Sequence, residues 1–144
     1  MTDKAVSTYF KDRVEKIAIK VMDHIVVRVK NIDEGISTYR DKLGMKLERT
    51  SESEALGIRQ AFFPFPNGGF LEVVAPFGPD SAVGKAIESR GEGIHTISLA
   101  VDDLAATVKT MQDAGVQLIG VGSPQVFVHP KSTHGVLVQL TEKK

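Results

Sequence analysis

Four polar side chains interrupt short apolar, β-branched runs of this chain: His24, Glu72, Thr96 and Gln139. Imidazole, carboxylate and amide oxygen are donor types that hold divalent ions. Imidazole and carboxylate can also carry a proton as general acid or base. A polar group buried in a strand costs free energy unless it is paired or binds something. Taken singly, each has an ordinary structural explanation. A histidine at a strand start beside Asp23 is commonly a satisfied structural residue, and Glu72 suits the wet face of an antiparallel strand. Taken together they form a pattern, because aligning the two halves of the chain puts His24 opposite Thr96 and Glu72 opposite Gln139. The set predicts one shared cavity.

The elements that must position these residues repeat. His24 to Val29 and Thr96 to Val101 both read as strands, each followed by a polar turn, Lys30-Asn31 and Asp102-Asp103. Ile32, Ile36, Tyr39 and Leu43, and then Leu104, Val108 and Met111, recur at helical spacing. Each helix ends at a glycine, Gly44 or Gly115. The spacing predicts helices over Ile32 to Leu43 and Leu104 to Ala114. Long strands are expected over Asp23 to Lys30, Phe70 to Val74, Thr96 to Val101 and Val136 to Thr141. Shorter ones are expected over Met45 to Glu48, Ile58 to Phe63, Val116 to Ile119 and Gln125 to Val128. The unit is strand, helix and three strands, used twice. Ser81, after Asp80, can cap a linker helix over Ser81 to Ile87. The expected organisation is an N-terminal extension over 1–21 and one domain over 22–144. That domain holds modules at about 22–75 and 94–142, joined by the linker helix.

Composition narrows the function classes. Lys plus Arg and Asp plus Glu number 18 each, a balance that argues against a nucleic-acid partner. Cysteine is absent, which removes thiolate nucleophiles, Cys-ligated zinc and a disulfide framework. No apolar run approaches the ~20 residues of a membrane span, and residues 1–20 lack the apolar core of a signal peptide. The expectation is a cytoplasmic protein with no membrane partner.

Three segments then resemble a known family. They are Asp23 to Val29 with Tyr39-Arg-Asp-Lys-Leu-Gly44; Arg90-Gly-Glu-Gly-Ile-His95 with Val101-Asp-Asp103; and His129-Pro-Lys-Ser132 with Gly135-Val-Leu137. From about Met22 to Glu142 the chain resembles the vicinal oxygen chelate superfamily, of glyoxalase, bleomycin-resistance and dioxygenase type, and within it the methylmalonyl-CoA epimerases. The resemblance implies an α+β fold of paired βαβββ modules forming a cleft. It also implies an isomerase that moves the α-proton of a 2-acyl-CoA through a metal-stabilised enolate.

By the same resemblance, His24, Glu72 and Gln139 are the matching metal positions for Co, Zn, Ni, Mn or Mg. Glu72 is the candidate base, and Thr96, Gln60 and Lys131 are candidate substrate contacts. The partners implied are an acyl-CoA and a second copy in a homodimer. The chain departs from the family's usual ligand order, His, Gln, His, Glu. Glu72 and Gln139 exchange an acid for an amide, and Thr96 replaces the second imidazole. His95, beside it, has the wrong strand parity to substitute. Two further readings stand beside the epimerase: a metal-poor protein of the same fold that binds a small molecule without turnover, and a related lyase or isomerase with another substrate.

Overall fold

A run of β-branched residues sets the first strand, β1 (Ile19–Arg28). The computed structural model describes residues 19–143, so residues 1–18 of the expected N-terminal extension lie outside the described part, and Ile19 to Val21 belong to β1. After β1, the Asn31 side chain accepts the Glu34 N–H at 3.0 Å and opens α1 (Ile32–Ile36). The helix continues as a wider π-helical stretch over Ser37–Lys42, in which Leu43 N–H reaches five residues back to Thr38 O at 3.0 Å. Gly44, at φ 74°, ends it in the left-handed region.

The remaining elements follow in order: β2 (Arg49–Ser53), β3 (Ile58–Pro64), β4 (Phe70–Pro76), α2 (Ala82–Arg90), β5 (Gly93–Val101), α3 (Leu104–Asp113), β6 (Leu118–Ile119), β7 (Val126–Val128) and β8 (Val138–Glu142). The order strand, helix, three strands therefore occurs twice, with α2 between the two modules. Ser81 Oγ accepts Gly84 N–H at 2.8 Å to cap α2, and Asp103 caps α3 in the same way. No described helix is long and apolar enough to cross a membrane.

One expected strand is absent. Met45 to Glu48 alternates apolar and charged residues, yet Met45 and Leu47 pack beneath α1 and make no ladder. The ladder starts at Glu48, whose N–H reaches Phe62 O at 2.9 Å, and the strand is Arg49–Ser53. That strand is polar because it has an exposed edge, which hides it from a search for apolar runs.

The described residues form two compact units, Asp23–Ile97 and 98–143 with 19–22. In the first, the strand order is β2-β3-β4-β1-β5, with β1 parallel to β4 and the β2-β3-β4 steps antiparallel. Helix α1 covers one face of this sheet, over Ala61, Phe63, Leu71 and Val73 with Ile25, Val27 and Val29 beside them. On the other face Val26, Ile58 and Val74 meet Val83 and Ile87 of α2. The second unit has the order β5-β8-β7-β6, and α3 packs Val108 and Met111 on Val101, Val126, Val128, Val138 and Leu140.

Two local features of the first unit constrain it tightly. Gly35 lets α1 approach the sheet, since a Cβ there would lie 2.8 Å from Val73 Cγ1 and 3.0 Å from Val29 Cγ2. Gly35→Ala should therefore destabilise the fold. Overpacking of about 1–3 kcal/mol outweighs a helix-propensity gain of about 1 kcal/mol. The urea midpoint checks this, and an unchanged or higher midpoint would show that the contact relaxes freely.

The second feature is Arg28, only 6% exposed. It donates Nε–H to Gly91 O at 2.8 Å and Nη1–H to Ile94 O at 2.7 Å, tying the end of β1 to the start of β5. Nearby, His95 Nδ1 is buried without a hydrogen-bond partner among the described residues. Burial first, then the Arg28 and Arg90 guanidinium groups, push this imidazole below the ordinary histidine value. The unfolded chain thus takes up the proton first as pH falls through about 6.5. The stability His95 contributes is full above that pH and is lost as pH falls toward the lower folded value. Urea midpoints at pH 7.5 and 5.5 should separate less for His95→Gln than for the parent. Equal separations would remove His95 from the acid sensitivity of the fold.

Candidate functional site

The pleat decides which side chains meet. In the parallel β1–β4 pair, His24 lies opposite Phe70 and Val26 opposite Glu72. In the antiparallel β3–β4 pair, Phe62 lies opposite Glu72 and Gln60 opposite Val74, and in β2–β3 Arg49 lies opposite Phe62. Alternation along each strand then puts His24, Glu72, Gln60, Phe62, Phe70 and Arg49 on one face, the one α1 leaves uncovered. Of the residues singled out from sequence, His24, Glu72 and Gln60 are brought together there.

His24 is held on two sides. Its ring stacks on Phe70, with centroids 4.4 Å apart and planes 12° apart. Its Nδ1 lies 2.7 Å from the Asp23 carboxylate, which is 7% exposed. An ionised carboxylate only accepts, so the hydrogen of this contact sits on Nδ1. This carboxylate–imidazole arrangement is the usual support of a metal-ligating histidine. Glu72 accepts a long hydrogen bond from Gln60 Nε2 at 3.4 Å. Burial raises the Glu72 carboxyl above the ordinary glutamate value. The Gln60 hydrogen bond and the charges of His24 and Arg49 pull it partly back.

The donor types fit a divalent ion: one imidazole nitrogen with its other nitrogen already engaged, and one carboxylate, beside a Gln60 side chain whose amide also offers an oxygen. Among the described residues no three His, Asp or Glu side chains converge, so amide oxygens and water would have to complete such a site.

The other residues lie elsewhere. Thr96 is buried on β5, the neighbour of β1 in strand order. Gln139 lies on β8 in the second unit, opposite Phe127. Lys131 lies in a 3₁₀ turn (Pro130–Ser132), where its N–H donates to His129 Nδ1 at 3.0 Å, which gives His129 a capping role in that turn.

Asp23, Phe70 and Arg49 are functional candidates that sequence reasoning did not single out. The Asp-His dipeptide at a strand start was an available signal for Asp23. Phe70 and Arg49 are placed by register, which no local pattern reveals.

The mitochondrial methylmalonyl-CoA epimerase of Dictyostelium discoideum is 32% identical over 136 residues, covering 89% of this chain and 81% of that protein. The crystal structure of methylmalonyl-CoA epimerase from Mycobacterium tuberculosis superposes with a TM-score of 0.75 at 30% identity, over 88% of this chain and 89% of that one. A Streptomyces coelicolor methylmalonyl-CoA epimerase variant, solved in complex with 2-nitronate-propionyl-CoA, superposes with a TM-score of 0.75 at 32% identity, over 87% of this chain and 98% of that one. Residues 22–141 match the glyoxalase-like domain family, and the chain belongs to that family, within the vicinal oxygen chelate superfamily.

Proposed function

We propose that the chain is an epimerase of a 2-acyl-CoA of the methylmalonyl-CoA class. The observation that carries this reading is the placing of His24 and Glu72 on one face of the sheet, with His24 Nδ1 committed to Asp23 and Glu72 raised by burial. The epimerases among its relatives, one of them solved with an acyl-CoA analogue, support the choice of substrate.

The chemistry asked of these residues is proton transfer at a carbon flanked by a thioester and a carboxylate. Burial makes the Glu72 carboxylate more basic than an exposed glutamate, and so better suited to take that proton. Gln60 orients it through one oxygen, and as an amide takes no proton itself. His24 and Glu72 are the residues of the first unit that would hold a divalent ion. Such an ion supplies Lewis acidity toward the substrate's oxygens. Asp23 holds the Nδ1–H of that imidazole.

The decisive measurement is proton exchange at the α-carbon of methylmalonyl-CoA in deuterated water, alongside titration of cobalt binding. The parent should exchange. His24→Ala should lose cobalt binding and slow exchange by about 100-fold or more, the scale of removing one electrostatic stabiliser. Glu72→Gln keeps an oxygen donor and removes the base. Exchange lost with cobalt binding kept assigns Glu72 as base, and loss of both assigns it as ligand. A parent that binds methylmalonyl-CoA without exchange overturns the epimerase and supports the binding protein of the same fold.

Asp23→Asn tests the support separately. It should weaken cobalt binding by about 10- to 100-fold, since the amide no longer holds the Nδ1–H as a charged acceptor. Unchanged cobalt affinity would leave Asp23 a purely structural residue.

A further inference from the structure

Two arginines lie on the face of the first unit's sheet that carries His24 and Glu72, and they differ in what occupies them. Arg28 is buried, with Nε and Nη1 donating to the Gly91 and Ile94 carbonyls. Arg49, on the edge strand β2, has its guanidinium carbon 3.8 Å from the centroid of the Phe62 ring, well inside the ~6 Å range of cation–π contact. The nearest carboxylate is Glu48, whose Oε1 lies 3.9 Å from Nε, beyond hydrogen-bond distance, with both side chains more than half exposed. A guanidinium stacked on a ring has its five N–H donors in its own plane, free to meet a ligand edge-on. Among the described residues, Arg49 is therefore an anchored fork whose donors are unmet.

The surroundings give that fork a task. Phe62 packs against Phe70, with centroids 5.9 Å apart, and Phe70 stacks on His24. An aromatic row thus connects the guanidinium to the imidazole. The charge of Arg49 is felt at Glu72, which places the cation within electrostatic reach of the proposed proton-transfer residue. An acyl-CoA bearing a second carboxylate brings negative charge to a face that already holds the Glu72 carboxylate. A cation on that face with open donors offsets the repulsion and fixes the ligand's orientation.

We propose that Arg49, stacked on Phe62, binds an anionic oxygen group of the acyl-CoA substrate. This inference rests on the acyl-CoA reading above. The anionic group is either the α-carboxylate or a phosphate of the CoA.

The test uses the whole chain with methylmalonyl-CoA and with methylmalonyl-pantetheine, which lacks the nucleotide phosphates. Equilibrium binding and α-proton exchange are measured for the parent, Arg49→Gln and Arg49→Lys, after urea midpoints show which variants remain folded. Arg49→Gln should weaken binding and raise KM by about 10- to 100-fold, the scale of a hydrogen bond to a charged group, with kcat changed much less. Arg49→Lys keeps the charge without the fork and should fall between, and it carries the test if the glutamine variant does not fold. An equal loss for both thioesters assigns the carboxylate. A loss confined to the CoA thioester assigns the phosphate.

If the variants bind and exchange like the parent with both thioesters, the proposal for Arg49 is overturned and the epimerase reading stands. If the parent binds but does not exchange, the epimerase reading fails, and weaker binding by the variants still supports Arg49. If the parent binds neither thioester, both are overturned.

Discussion

The parallel pairing of β1 with β4 is the constraint on which the candidate face depends. It sets His24 beside Phe70 and Val26 beside Glu72. Side chains alternate with a period of two, so a slip of one residue would turn His24 into the core under α1 and expose Ile25 and Val27. The penalty for that slip comes from the covered face. Ala61, Phe63 and Val73 are fully buried, and Gly35 lets α1 sit too close to admit anything bulkier. Tight packing on one face thus fixes the register that assembles polar chemistry on the other.

The polar residues are then balanced against one another. Asp23 and Glu72 are both carboxylates, and His24 has contact with the first and electrostatic reach to the second. Low local polarity makes each of these interactions stronger than in water and makes any unpaired charge expensive. Burial pushes the Glu72 carboxyl upward, while Gln60, His24 and Arg49 pull it partly back, so these opposing influences set the basicity of the carboxyl. Arg28 shows the contrasting use of the same side-chain type as Arg49. Buried, with Nε and Nη1 donating to backbone carbonyls, it joins β1 to the start of β5.

Much of this could be read from the chain without coordinates. The repeat was legible because β-branched runs, polar turns and terminal glycines recur in the same order in both halves, and the observed order strand, helix, three strands follows them. His24 and Glu72 were legible as polar interruptions of apolar strands, but the β1–β4 register is what brings them to one face. The edge strand β2 was not, since Arg49 to Ser53 carries no apolar residue, while the alternation of Met45 and Leu47 that mimicked a strand reflects docking beneath α1. The π-helical widening over Ser37–Lys42 has no local signature, because it depends on which carbonyl the Leu43 N–H reaches. The aromatic row and Arg49 belong to cross-strand register, which a single strand's sequence does not encode.

The departures from the family's usual residues have a common electrostatic consequence. Compared with the order the family resemblance implies, the carboxylate at Glu72 stands on the strand beside Phe62, whose own partner is Arg49. Replacing an imidazole by Thr96 removes a strong neutral donor and adds only a hydroxyl. Fewer strong donors mean that more of the ligand's orientation must come from elsewhere. The aromatic row and the unmet guanidinium fork are suited to supply it, because the ring contacts already place the guanidinium over Phe62. Under the proposal for Arg49, the arginine on the edge strand supplies recognition of the ligand's charge on the sheet face that carries His24 and Glu72.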